Sequence, residues 1–178
     1  MTKTLYLTAL LPPAHVSHAV SRYQRAWFQR QGEALALFLQ PHIPILFSNE
    51  SPVSLFNDDL PPAVPCRTKD LITRDSAVFL LVDTGGLYED LRRRICSLKT
   101  TGPYPSVSGI LLRGDCREKV LIDQDTRLPL SPMKWLDSSL ACLRVEYFWN
   151  DEGNPFGTYS ECIFLKKLRR PASLTRER

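Results

Sequence analysis

The stretch Leu39-Gln40-Pro41-His42-Ile43-Pro44-Ile45-Leu46-Phe47 decides how this chain is read. Of the three histidines, only His42 sits among branched apolar residues of the kind that favour a strand. Pro41 marks where that strand opens. A related stretch returns at Tyr104-Pro105-Ser106-Val107-Ser108-Gly109-Ile110-Leu111-Leu112. Both run proline, polar residue, β-branched residue, second small residue, then an apolar run. Ser106 stands where the first copy has His42, and Ser108 where it has Pro44. The two stretches are expected to form the two halves of one cleft.

Each stretch closes a strand–helix–strand unit. In the first unit Thr4 to Leu11 reads as a buried strand. Pro12-Pro13 opens a helix, with Pro13 near the first position, where a missing N–H costs nothing. Val16, Val20, Tyr23 and Trp27 follow helical spacing to about Gln31, and Gly32 ends the run. Ala34 to Phe38 reads as a strand leading into the His42 stretch. In the second unit Ala77 to Val82 is the strand, and Asp83-Thr84-Gly85-Gly86 turns into a helix. Leu87, Leu91, Ile95 and Leu98 mark that helix's buried stripe, with Arg92-Arg93-Arg94 on other faces. This weak repeat predicts an α+β fold of two pseudo-symmetric lobes, each an antiparallel sheet backed by helix, around a central cleft.

The remaining segments fit around that frame. Residues 48–65 read as a loop, and Val64 to Ile72 pairs with Ala77 to Val82. Lys119 to Asp123 is a short strand, and 124–138 is irregular. Ala141, Leu143, Val145, Tyr147 and Trp149 alternate with Cys142, Arg144, Glu146 and Phe148, giving a strand with one strongly apolar face. After a turn at 150–155, Thr158 to Leu168 returns as its hairpin partner.

At 178 residues the chain suits one domain, and residues 1–168 are expected to form it. No apolar run approaches the ~20 residues needed to span a bilayer. Leu5 to Leu11 followed by Pro12-Pro13 reads as a first strand rather than a secretion signal. The net charge of +4 is unevenly placed. Lys166, Lys167, Arg169, Arg170, Arg176 and Arg178 face a single late anion, Glu177, so the body is close to neutral. Residues 169–178 are expected to be a loose, solvated basic tail; nucleic acid or a membrane surface is what such a tail could touch. Cys66, Cys96, Cys116, Cys142 and Cys162 are widely spaced and odd in number. That argues against a disulfide scaffold and a zinc site, and for reduced thiols in a cytoplasmic protein, which is expected to be a monomer. His15 and His18 lie three apart on the first helix, but no further ligands stand nearby, so exposed helix histidines are expected and no metal.

In a strand, residues i and i+2 share a face. A histidine followed two positions on by Ser or Thr therefore offers an imidazole and a hydroxyl to one cleft. Two such strands would suit a phosphodiester with a neighbouring 2′-hydroxyl. One imidazole takes a proton from the nucleophile, the other protonates the leaving oxygen, and the hydroxyls hold phosphate oxygens.

In its order of elements and its marked strands, the chain resembles the 2H phosphoesterase superfamily, the group of 2′-5′ RNA ligases and cyclic phosphodiesterases. Leu5-Tyr6-Leu7-Thr8-Ala9-Leu10-Leu11-Pro12-Pro13 is similar to that family's first strand and helix start. Pro41 to Leu46 resembles its first Pro-His-x-Thr strand, Pro105 to Ser108 its second, and Leu143 to Trp149 with Gly157 to Leu168 its closing hairpin. The resemblance implies a metal-independent, cofactor-free site at His42 (the base or acid), Ser106 and Ser108, taking RNA or a nucleotide phosphate. Ser108 is the phosphate contact. Tyr104, Tyr159 and Tyr6 are candidates for the missing acid or for ligand contact.

The departures carry as much weight. Pro44 replaces the first hydroxyl and Ser106 the second histidine, and no histidine follows His42. Serine is no acid or base near pH 7, and losing one such group costs ~10²–10⁴ in rate, about 3–5 kcal/mol of barrier. Pro44 also removes a backbone donor, which predicts a bulged or partly unpaired strand. The expected function is that of a divergent, weakened or inactive member that binds RNA ends or nucleotide phosphates. Two alternatives stand beside it: an active cyclic phosphodiesterase or RNA ligase-like enzyme using His42, and a protein-interaction module that kept only the scaffold.

Overall fold

Two four-stranded antiparallel sheets share one core. The structure, a computed structural model, describes residues 2–31, 37, 39–56, 60–74, 77–95, 107–113, 132–149 and 155–170. The strands are β1 (Thr2–Leu11), β2 (Ile43–Ser48), β3 (Cys66–Arg74), β4 (Ala77–Asp83), β5 (Gly109–Arg113), β6 (Lys134–Trp135), β7 (Ser139–Trp149) and β8 (Pro155–Lys167). The helices are α1 (Ala14–Gln31) and α2 (Leu87–Arg94). One sheet runs β2-β1-β7-β8 and the other β5-β4-β3-β6. The expected α+β fold in two matched lobes is therefore present. In each lobe a strand–helix–strand unit returns its second strand to the sheet edge, beside the first.

The helices bind the lobes together crosswise. Helix α1 follows β1 but packs against β5, and α2 follows β4 but packs against β2. The two edge strands β2 and β5 also lie against one another. Val16 and Val20 of α1 and Leu87 and Leu91 of α2 meet Leu10, Ile43, Ile45, Leu80, Ile110 and Leu112 in a single cluster. Burying each such Leu or Ile is worth about 1.5–3 kcal/mol relative to exposing it. Gln24, itself buried on α1, donates its Nε2–H to the carbonyl of Leu111 at 2.7 Å, satisfying an acceptor on the β5 edge.

Local chemistry explains the helix starts. The amides of Val16 and Ser17 reach the Pro13 carbonyl at 3.0 Å, so α1 begins as its diproline predicts. At α2, the Gly85 amide donates to Asp83 Oδ1, and the Tyr88 amide to Thr84 Oγ1. Gly86 takes φ +88°, a left-handed value that only glycine adopts freely. Glu89 and Asp90 open α2, and its three arginines close it, each set matched to the helix dipole.

The bulge expected from Pro44 is there. β1 and β2 pair Thr8 with Leu46 and Ala9 with Pro44, leaving Ile45 as the extra residue. As β2 is an edge strand, proline's missing N–H breaks no inner ladder. His42 lies one residue before β2 rather than within it. β5 begins at Gly109, just after Ser108.

One element of the 124–138 segment was not foreseen. Lys134–Trp135 forms the short strand β6 against Cys66 and Arg67. Its register is held outside the ladder, by exchange between Thr68 and Met133: the Met133 amide donates to Thr68 Oγ1 and the Thr68 amide to the Met133 carbonyl, each at 2.9 Å. The strands expected at 34–38 and 119–123, Leu98 and the 150–154 turn fall outside the described residues, apart from Leu37.

Candidate functional site

The two marked stretches lead into β2 and β5, the edges at which the lobes meet. His42 is 3% exposed. Its Nδ1–H donates to the carbonyl of Gln40 at 2.7 Å. The next residue, Ile43, pairs with Leu10, and both enter the shared core. The other face of that sheet carries Leu5, Leu7, Ala9, Phe47, Ala141, Leu143 and Val145, all buried. Burial pushes the His42 imidazole down to about 4, against a smaller upward pull from the Gln40 bond. The ring is neutral at physiological pH.

Ser108 has different surroundings. Its Oγ–H donates to the Val82 carbonyl at 2.8 Å, and its own carbonyl accepts from the Val82 amide at 2.8 Å. Ser108 is half-buried and lines an open groove of about 480 Å³ with Lys69, Asp83, Thr84, Gly86 and Glu89. His42 is not among the lining residues of this groove. Lys69 Nζ lies 3.0 Å from Asp83 Oδ2. The Gly85 amide, then Lys69, hold the Asp83 carboxyl below the usual carboxylate range. Val107, between the two serines, packs with Phe79 and Leu111. Ser106 and Tyr104 fall outside the described residues.

The two other tyrosines stand on the sheet of β1, β7 and β8. Tyr6 is half-buried and pairs with Arg144 of β7 and Ser48 of β2. Tyr159 is 53% exposed on β8, opposite Glu146. Between them Arg144 bridges Glu146 at 2.6 Å and Glu161 at 3.7 Å. Glu146 chiefly, then Glu161, holds the Arg144 guanidinium above its ordinary range. Sequence reading did not single out this cluster. Its signal was the alternation of β7, which puts Arg144 and Glu146 on one face.

The late cations are partly engaged. Arg170 forms a two-pronged pair with Asp137, Nε to Oδ1 at 3.0 Å and the terminal nitrogen to Oδ2 at 2.9 Å. Lys167 Nζ lies 3.9 Å from the same carboxylate. The Arg169 carbonyl accepts from the Ala63 amide at 2.8 Å. So 169 and 170, the first residues of the expected tail, are fastened to the body, and 171–178 lie outside the described residues. His15 and His18 are exposed on α1, and among the described residues no three His, Cys, Asp or Glu side chains cluster as a metal would need. No helix among them is long and apolar enough to cross a membrane.

Comparison with known proteins gives a fold and nothing finer. No family model matches the chain. No curated protein matches it by sequence either. Among solved structures it is similar to TT0787 of Thermus thermophilus, with a TM-score of 0.62 and 16% identity over 93% of this chain and 98% of that one. At that identity the likeness is one of fold, and it extends over nearly the whole of both chains.

Proposed function

We propose that this chain is a divergent 2H phosphoesterase-like protein that has lost turnover and kept recognition, binding an RNA end or a nucleotide phosphate where the lobes meet. The observation that carries this reading is the state of His42. A ring with its pKa near 4 is protonated in roughly one molecule in a thousand at pH 7, so it supplies no general acid. No second histidine follows it in the sequence. In the groove that Ser108 lines, Lys69 is the donor for a phosphate oxygen, since the Ser108 hydroxyl proton is given to the Val82 carbonyl. The two-lobed fold adds support, as a fold does, without fixing the activity.

Incubating the chain with a 2′,3′-cyclic mononucleotide and following it by ³¹P NMR tests the first half. No product beyond the protein-free blank is expected. Turnover that disappears in His42→Ala would instead identify an active enzyme. Fluorescence anisotropy with short RNAs ending in a 2′,3′-cyclic phosphate tests the second half.

A second reading, a scaffold that binds protein, is favoured by one feature. Edge strand β8 leaves Tyr159, Ile163 and Leu165 exposed to solvent. RNA ends that bind no better than 3′-hydroxyl controls would move the balance to this reading.

A further inference from the structure

We infer that the outward face of α1 is a docking surface for a nucleic-acid backbone, separate from the place where the lobes meet. This helix has eighteen residues and not one is acidic. On its solvent side His18, Ser21, Arg22, Arg25 and Gln29 recur at spacings of three and four, so they form one stripe. With Ala26 they line a shallow groove of about 580 Å³. From His18 to Gln29 the stripe is ~16 Å long. Arg22 and Arg25 are exposed, and neither makes an ion pair with any described residue. The late cations differ, since Arg170 and Lys167 already face Asp137.

The chemistry of the stripe selects the partner. It offers two guanidinium groups and hydrogen-bonding side chains, with no large apolar residue among them. Protein interfaces are anchored by buried aromatic and apolar cores, which this groove lacks. A membrane surface would need a row of Trp, Phe or Leu along the same face, and α1 exposes a single one, Phe28, at the margin of the stripe. Phosphodiester oxygens ask for what is present, cations flanked by Ser, Gln and His donors, and they are met in sequence-independent fashion. RNA and DNA share that chemistry, and the test separates them.

The full-length chain is titrated into fluorescent single-stranded RNA and DNA oligonucleotides, and anisotropy is followed between 50 and about 200 mM salt, the span over which backbone contacts lose most affinity. The double variant Arg22→Glu/Arg25→Glu is compared with Lys167→Glu/Arg170→Glu, each checked for wild-type circular dichroism and melting. Loss of two phosphate contacts should weaken binding about tenfold at low salt and flatten the log–log salt slope by about 1.4. The second pair should do less. Wild-type affinity in Arg22→Glu/Arg25→Glu overturns the inference, as does binding to phosphatidylserine vesicles or a polyglutamate peptide in place of both oligonucleotides. Cyclic-phosphate and 3′-hydroxyl ends should bind this face equally, and His42→Ala should leave it intact, so failure here and failure at the lobe junction remain distinguishable.

Discussion

Arg113 holds its guanidinium carbon 3.4 Å from the centroid of the Trp27 ring, and this stack fastens the end of β5 to the second half of α1. Arg113 is 6% exposed, a cation taken almost wholly out of water. Its Nε and the Trp27 indole nitrogen are buried without hydrogen-bond partners among the described residues. The ring face therefore offsets part of the cost of burying that charge. Trp27→Leu should destabilise the chain by about 2 kcal/mol, through a smaller side chain and the loss of the cation–ring contact. Arg113→Met should be neutral or stabilising, since an apolar side chain needs no such compensation. Urea midpoints of the single and double variants measure this, and the double variant should cost less than the sum of the singles.

Gly109 and Gly86 should fail for different reasons. A Cβ at Gly109 would stand 2.9 Å from the backbone carbonyl oxygen of Leu80, across the β4–β5 ladder. Backbone cannot swing aside, so Gly109→Ala should cost about 1–3 kcal/mol by overpacking. A Cβ at Gly86 meets open space, but φ is +88° there. Gly86→Ala should cost about 1 kcal/mol from strain alone. Thermal melts rank the two, and equal losses would put the Gly109 contact in doubt.

The His42 imidazole gives a pH signature. Its pKa falls from 6.5 to about 4 on folding, so the unfolded chain takes up the proton first as pH drops. Stability is fully present above about pH 6.5 and is lost progressively down to about pH 4, by up to roughly 3 kcal/mol from this group. His42→Gln should remove that part of the acid sensitivity, leaving the part due to carboxylates. The difference between the two stability–pH curves isolates it, and ¹H–¹⁵N spectra should follow the ring titrating near 4.

Thiol labelling should separate the cysteines. Cys66 and Cys142 are buried, and burial pushes the Cys142 thiol up to about 12. Cys162 is exposed on β8. Iodoacetamide followed by peptide mass spectrometry should modify Cys162 in the native chain, and Cys66 and Cys142 only as it unfolds. Early labelling of Cys142 would show that β7 opens on its own.

Much of the fold was legible because it follows period and punctuation. The alternation from Ala141 to Trp149, the diproline before α1 and the Gly85-Gly86 turn each act through local sterics, and each marks its element. Pro44 announced its bulge for the same reason. The β6 strand was not legible, since two residues carry no period and its register depends on Thr68, far away in sequence. The crossing of the helices was hidden too, because an apolar stripe such as Val16–Val20 does not say which lobe it will meet. At the site, residue types revealed a missing acid and base. They did not reveal that His42 would be dry, or that Ser108 would bond to Val82. Burial and hydrogen bonding arise only when distant strands come together.

The exchange of helices between the lobes limits how the molecule can move. A pair of jaws opens by swinging about a hinge, with each jaw carrying its own bracing. Here each brace is anchored in the opposite jaw, through Gln24 and Arg113 on one side and the α2–β2 packing on the other. To gape, the molecule would have to tear its own centre. If the lobe junction takes a guest as proposed, selectivity would come from shape fixed in advance rather than from closure around whatever arrives.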